Sequence, residues 1–378
     1  MESKDRILLP GLQSFAERET ALLAPYAMRS VDSAGRKHTE PDHPYRSPFQ
    51  RDRDRILHCS AYRRLSGKMQ VFTGDMGDYH RTRLTHTHEV ASIARTVARA
   101  LRLNEDLVEA LALFHDIGHP PFGHAGEDAL NECLTDDGGF SHNQHALTIA
   151  EELEIRYAGF PGLNLTAEVL DGQGIRADKE NVELQPLLEV QLVDAADSIT
   201  YDAHDTDDAV KLGLLTLDEL AEVPLVAATI LRVKKRLTNL PAELLRPTVV
   251  HELIDLQVSD VFRHCGQLLG QSGIQSVQEA RLASFRIGPS AELAEQKAEL
   301  EGFLYERVYR HPNLIQVRTV AQARLHEMFT HLLEHPEWLP KTFQRRSERV
   351  GLRCSVGEYI AGMTDRYCNE QYEALFRG

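Results

Sequence analysis

The segment His115-Asp116-Ile117-Gly118-His119-Pro120-Pro121-Phe122-Gly123-His124-Ala125-Gly126-Glu127 sets three histidines and two acids around a turn rich in glycine and proline. Upstream, Leu107, Val108, Leu111 and Ala112 fall at helical spacing, and His115 continues that stripe. Asn104 stands where an N-cap belongs, with Glu105 and Asp106 in the first turn, where the helix dipole favours anions. Gly118 ends this helix ahead of Pro120-Pro121, and a new helix can begin at Gly123. His124 and Glu127 then lie three residues apart, close enough for the carboxylate to orient the imidazole for general acid or base work. His119 sits in the turn between them, where an imidazolium or N–H donor could hold a phosphate oxygen.

The preceding helix, over 84–102, has Val90, Ile93, Ala94, Val97, Ala98 and Leu101 on one face, and His86 is in register with them. Two imidazoles, His86 and His115, therefore point into the interface of two consecutive helices. A third helix carries Asp194, Asp197, Tyr201, Asp205 and Asp208 along one face, against Leu192, Ala196, Ile199 and Ala203 on the other. Like charges at that spacing destabilise a helix by a few tenths of a kcal/mol per pair. A solvated face tolerates this, but a cation between that face and the two histidines explains it better. His86, His115, Asp116 and Asp197 make a nitrogen–oxygen ligand set without sulfur. It suits Mn²⁺, Fe²⁺, Ni²⁺ or Zn²⁺, and Mg²⁺ less well because of the imidazoles.

Helical periodicity runs through the rest of the chain. It predicts further helices over 53–68, 123–134, 144–156, 188–212, 214–237, 243–270, 291–308, 313–335 and 355–376. Gln70-Val71-Phe72-Thr73 reads as one short strand, and Asp171 to Glu183 as a loop. The fold class is all-α. Residues 1–45 form an N-terminal arm, 46–212 the catalytic core, and 213–378 a helical C-terminal extension packed on it as one structural unit.

Composition narrows the function. A net charge of −15 argues against general nucleic-acid binding, although such a partner stays open. Between Arg46 and Arg102, 12 Lys and Arg face 5 Asp and Glu, a local +7 that leaves −22 elsewhere and suggests a small polyanion as ligand. The five cysteines, Cys59, Cys133, Cys265, Cys354 and Cys368, are scattered without a C-x-x-C pair, so neither a disulfide framework nor a thiolate zinc site is expected. No apolar run is long enough for a membrane helix and no signal peptide is visible, so a cytoplasmic location is expected. Gly67-Lys68 is no P-loop, since Met69 replaces the hydroxyl residue, and G-x-S-x-G and H-E-x-x-H are missing.

Longer words in the sequence resemble the deoxyguanosine triphosphate triphosphohydrolase (dGTPase)-like family of HD-domain phosphohydrolases. They are Tyr62-Arg63-Arg64-Leu65 with Lys68 to Phe72, Arg81 to His86, and the whole of His115 to Glu127. Phe140-Ser141-His142-Asn143, Gly162 to Thr166, Asp197 to Asp208, Phe303 to Glu306, Tyr309-Arg310-His311 and Asp365-Arg366-Tyr367 join them. The similarity covers roughly residues 44–376. Departures are Met69 for Thr, Gln144-His145-Ala146 for Ala-Gln-Ser, and Ala167 for Trp.

The resemblance implies an all-helical HD fold and hydrolysis of dGTP or several dNTPs to deoxynucleoside and inorganic triphosphate. It implies metal ligation by His86, His115, Asp116 and Asp197, and proton transfer by His124 with Glu127. Arg83, His119, His142, Lys68, Tyr201 and Asp205 would surround the triphosphate and sugar, and Gln70 the nucleoside. A divalent metal (Mn, Mg, Ni, Fe or Zn), a homo-oligomeric state and a dNTP allosteric effector also belong to that expectation. Two other readings compete. One is an HD-type nucleotidase or phosphodiesterase, separated by the phosphate species released. The other is a nucleotide- or nucleic-acid-binding regulatory protein, which would have no need of His124 and Glu127.

Overall fold

The computed structural model describes residues 13–70, 81–178 and 184–376. In chain order its first helices are α1 (Phe15–Leu22), α2 (Pro48–His58), α3 (Ser60–Arg64), α4 (Arg83–Leu101), α5 (Glu105–Phe114), α6 (Gly123–Cys133), α7 (His142–Thr148), α8 (Ala167–Ala177) and α9 (Leu188–Lys211). There follow α10 (Leu217–Leu220), α11 (Pro224–Arg236), α12 (Ala242–Ser272), α13 (Val277–Arg281), α14 (Ala291–Leu304), α15 (Pro312–Glu334), α16 (Lys341–Val350), α17 (Leu352–Ala361) and α18 (Asp365–Phe376). Extended pairing among the described residues is confined to three isolated bridges, Arg36–Thr166, Met69–Thr82 and Tyr157–Phe160. The fold is all-α, as the periodicity predicts.

Local chemistry sets the helix ends. The Asn104 side chain accepts the N–H groups of Asp106 and Leu107 at 3.2 and 3.3 Å, which caps α5 as expected. α2 starts at Pro48, five residues before its predicted start, because Ser47 and Gln50 form a reciprocal capping box. An extended Cys59 separates α2 from α3. α5 stops at Phe114, so His115 to Gly118 belong to a turn, not to the helix end predicted at Gly118.

Other boundaries differ for identifiable reasons. The predicted helix over 214–237 is two, since α11 restarts with Pro224 at its N-terminus. The one over 355–376 breaks between Ala361 and Asp365, where Thr364 caps α18 by accepting the Tyr367 N–H at 3.2 Å. The loop read over 171–183 is helical as far as Ala177, with Gly172 and Gln173 buried. Its polar residues had masked a half-buried helix. In the predicted strand 70–73, Gln70 is a bend and the remainder lies outside the described residues.

The chain divides into two compact units. The first comprises Met1–Asp32, Glu89–Ala112 and Glu183–Ile315. In it α9 packs on α12 and α14, and α11 on α12 and α14. Here buried Glu189 accepts the N–H groups of Met28 and Asn104 at 3.0 and 3.2 Å, and Ala24 and Ala27 are buried too. The segment read as an arm is thus packed over at least these residues. Lys297, also buried, meets Asp202 and donates to Gln257 Oε1 at 2.8 Å.

The second unit comprises Ser33–His88, Leu113–Val182 and Gln316–Gly378. One of its cores joins Leu130 of α6 and the C-cap residue Leu134 to Leu325, Met328 and Phe329 of α15 and to Val356 and Ile360 of α17. α7 packs on α8. At the turn after α5, Gly118 lies so close to α7 that a Cβ would stand 2.0 Å from the His142 carbonyl oxygen and 2.5 Å from the Ala146 nitrogen. Backbone atoms cannot swing aside as a flexible side chain can. Gly118→Ala should therefore destabilise the protein by about 3 kcal/mol, seen as a melting temperature lower by roughly 6 °C or more. An unchanged calorimetric melting temperature would contradict this packing.

Candidate functional site

α4 begins at Arg83, and its first turns put Arg83 and His86 inside the second unit, at 2% and 1% exposure. His115 and Asp116 follow the last residue of α5. Ring nitrogens of His86 and His115 and a carboxylate oxygen of Asp116 lie within 4.8 Å of one another, all buried. Asp116 Oδ2 accepts a 2.9 Å bond from Arg83 Nη1, and Oδ1 lies 2.9 Å from His119 Nδ1 and 3.7 Å from His115 Nε2. Burial opposes ionisation of Asp116, but Arg83, His119 and His115 override it and hold its carboxyl well below the usual carboxylate range. Two imidazoles and an ionised carboxylate form a donor set that fits a borderline divalent cation, so these three residues could hold a metal.

The turn beside this cluster is held from several directions. Lys68 is buried and its ammonium donates to the His119 carbonyl and, at 2.9 Å, to that of Ala361. Burial and then the charge of Arg64 bring the Lys68 ammonium down to about 7. The Asp365 carboxylate accepts the backbone N–H groups of Met69 and Phe122, each at 3.0 Å. Phe122 takes the left-handed conformation (φ 64°) just ahead of α6. The next residue, Gly123 (φ +57°), comes so near Arg83 that a Cβ would lie 3.0 Å from Nη2. Arg83 Nη2 also donates to the Gln70 carbonyl at 3.2 Å. The buried side-chain oxygen of Gln70 has no hydrogen-bond partner among the described residues.

Glu127 on α6 serves two imidazoles. Its carboxylate meets His142 Nδ1 at 2.8 and 2.9 Å and accepts the His142 backbone N–H at 2.9 Å. His124 Nδ1 is farther, at 3.5 Å, and its side chain is 54% exposed. Burial works against the Glu127 charge, yet bonding to His124 and His142 leaves the carboxyl far below its usual 4.5. The His142 ring stacks on His119 at 3.8 Å between centroids. Ligand atoms of His119, Glu127 and His142 form a second group within 4.8 Å. Burial and then Arg83 keep His119 neutral, with Nδ1 directed at Asp116.

Asp197, Tyr201 and Asp205 stand on α9, in the first unit. Asp197 is half-buried and Asp194 exposed, whereas Asp205 and Asp208 are buried, so the acidic face is not uniformly solvated. Tyr309 bonds both Tyr201 and Asp205 through its hydroxyl. Burial pushes the Asp205 carboxyl up to about 8, against the pull of Tyr309.

Some of these residues went unrecognised in the sequence. Gln173 donates to Asn143 Oδ1 at 2.8 Å and to the His115 carbonyl at 3.4 Å, yet it sits in the stretch that reads as a loop. Asp365 and Tyr309 occur in family-like words, but nothing in their spacing announces which groups they hold. His145 directs Nδ1 at the Gly118 carbonyl (3.2 Å), and burial and then Lys68 lower it to about 3.

Comparison with known proteins adds to this geometry. Residues 83–202 match the HD domain and residues 287–374 the phosphohydrolase-associated domain. The chain is 40% identical to the deoxyguanosinetriphosphate triphosphohydrolase-like protein of Ralstonia nicotianae, over 94% of each chain. A protein of the same description from Leptospira interrogans is 40% identical, over 95% of this chain and 97% of its own. The one from Caulobacter vibrioides is 43% identical, over 93% and 96%. No helix among the described residues is long and apolar enough to cross a membrane. The all-helical fold, the buried histidine–aspartate cluster and near full-length similarity agree: the chain belongs to the deoxyguanosinetriphosphate triphosphohydrolase-like family of HD-domain phosphohydrolases.

Proposed function

We propose that this phosphohydrolase converts dGTP, or several dNTPs, to deoxynucleoside and inorganic triphosphate, with a divalent metal held by His86, His115, Asp116 and Asp197. The observation that carries the reading is the convergence of the first three on one buried point, with Asp116 kept ionised. Asp197 is assigned from the family-like word that begins with it. The names of the relatives support the substrate class. A metal at these residues supplies Lewis-acid polarisation of the phosphoryl group. Arg83 and His119 keep Asp116 anionic and oriented. Lys68 gives two N–H donors to carbonyls and keeps a third for a phosphate oxygen. Gln70, whose side-chain oxygen has no hydrogen-bond partner among the described residues, faces the nucleoside, and His142, Tyr201 and Asp205 contact phosphate and sugar. His124, oriented by Glu127, transfers the proton.

His115→Ala and Asp197→Ala should each lose bound metal and activity together. His124→Ala should keep the metal and lose about 10²- to 10⁴-fold in turnover. Metal analysis beside kinetics checks this: full occupancy in Asp197→Ala would remove it from the ligand set, and near-parental turnover in His124→Ala would exclude its proton role.

The leaving group decides the reaction class. Arg63, Arg64, Lys68, Arg81 and Arg83 lead into His86, more cations than a monophosphate needs. Attack at the α-phosphorus releases triphosphate, whose charge these groups stabilise. Chromatography without added phosphatase should find deoxynucleoside and triphosphate in equal amounts. Accumulation of nucleoside monophosphate with pyrophosphate, or of diphosphate with orthophosphate, would overturn the assignment.

Glu127 also gives a pH signature. Its folded-state carboxyl titrates below the ordinary 4.5, so its stabilisation is fully present above that value and is lost as pH falls through the lowered one. The melting-temperature gap between the parent and Glu127→Gln should hold from about pH 6 to about pH 4.5 and narrow below it. A gap constant into stronger acid would mean that the imidazoles do not stabilise this carboxylate.

A further inference from the structure

A second basic site lies in the same unit and shares no lining residue with the histidine–aspartate cluster. It is a pocket of about 390 Å³ lined by Arg46, Arg51, Arg55, His58, Arg156 and Tyr157, with Glu40 and Asp54 as the carboxylates among its described lining residues. Pockets of roughly 300–1,000 Å³ are the size that takes small ligands. Four guanidinium groups against two carboxylates leave two positive charges, in a chain of net charge −15.

The two carboxylates are already occupied. Both Glu40 oxygens accept from Arg55, at 2.8 and 2.6 Å, and one also accepts from Asn164. Asp54 is taken by Arg46 at 2.8 Å and by Arg53 at 2.9 Å. Arg55 is further tied down by the carbonyls of Leu163 and Asn164, and its guanidinium lies 5.0 Å from the Tyr157 ring centroid. This leaves two less committed cations. Arg51 reaches Glu40 only at 3.4 Å and otherwise donates to the Pro41 carbonyl. Arg156 donates to the His58 carbonyl at 2.8 Å and has no carboxylate partner among the described residues. Burial and the positive charges of Arg36 and Arg55 also draw Arg51 below the usual arginine range, as expected where positive charge lacks a counter-charge.

We propose that this pocket binds a small phosphate-bearing polyanion, with Arg51 and Arg156 as its principal partners and Arg46 and His58 beside them. The planar guanidinium fork matches phosphate oxygens. A surplus of two charges matches a group that is dianionic or more, and the acidic remainder of the chain disfavours a long polymer. A phosphate chain can come from a nucleotide or from inorganic polyphosphate, and the two sources separate experimentally.

The test uses the full chain with EDTA and inorganic tripolyphosphate, dGTP or citrate. Hydrogen exchange should slow across residues 46–58 and 154–157 on adding tripolyphosphate or dGTP. Arg51→Gln with Arg156→Gln should abolish that protection and weaken the associated binding roughly tenfold or more. Should the double variant misfold, Arg156→Gln, altering an exposed side chain, reports alone. Protection by both ligands means that the phosphate chain suffices; protection by dGTP alone means that the nucleoside is also needed. Either result supports the site. Protection absent from these segments, protection that survives the substitutions, or equal protection by citrate would overturn the proposal.

Discussion

Arg83 and His119 flank the Asp116 carboxylate at 2.9 Å each, where water reaches almost none of it. Moving a lone carboxylate out of water costs several kcal/mol even after the protein relaxes. Charge-assisted hydrogen bonds to ionised groups return about 1.5–3 kcal/mol each. The arginine is therefore as necessary as the histidines, because without it Asp116 would be driven towards its neutral form. This relation couples the start of α4 to the end of α5, and it fixes which oxygen of Asp116 remains near His115.

The turn from Asp116 to Gly123 has little regular hydrogen bonding of its own, so the rest of the second unit supplies it. Lys68 holds the His119 carbonyl and Asp365 the Phe122 N–H, while the same two side chains also reach Ala361 and Met69. Residues almost three hundred positions apart thus tie one turn. The segment matching the phosphohydrolase-associated domain contains both Ala361 and Asp365, which gives that segment a physical part in shaping the HD turn. Gly118 and Gly123 permit the close approach of α7 and Arg83 that makes the arrangement compact.

Helix type and several ends were legible in the chain because they rest on local chemistry. The stripe Val90, Ala94, Val97, Ala98 and Leu101 is buried along α4, and the Asn104 cap holds α5. The start of α2 was hidden because the Ser47–Gln50 box precedes the apolar periodicity, whereas the interruption at Gly362 to Thr364 and the polar helix that carries Gln173 depend on their neighbours. The approach of His86 and His115 was also readable, since periodicity points both inward, and Asp116 joins them as the next residue in the turn after α5.

Sequence alone determined the helical class, the inward register of the two histidines and the likeness to HD-domain phosphohydrolases, since spacing and residue type are properties of the chain itself. Only the tertiary structure decided the partners. Glu127 lies closer to His142 than to His124, three residues away, because α7 brings that ring to 2.8 Å while His124 remains exposed. Arg83 is buried against Asp116, a pairing that no spacing along the chain announces. Arg51 and Arg156 meet in one pocket from segments a hundred residues apart. Charge and burial act through space, and no spacing rule along the chain carries that information.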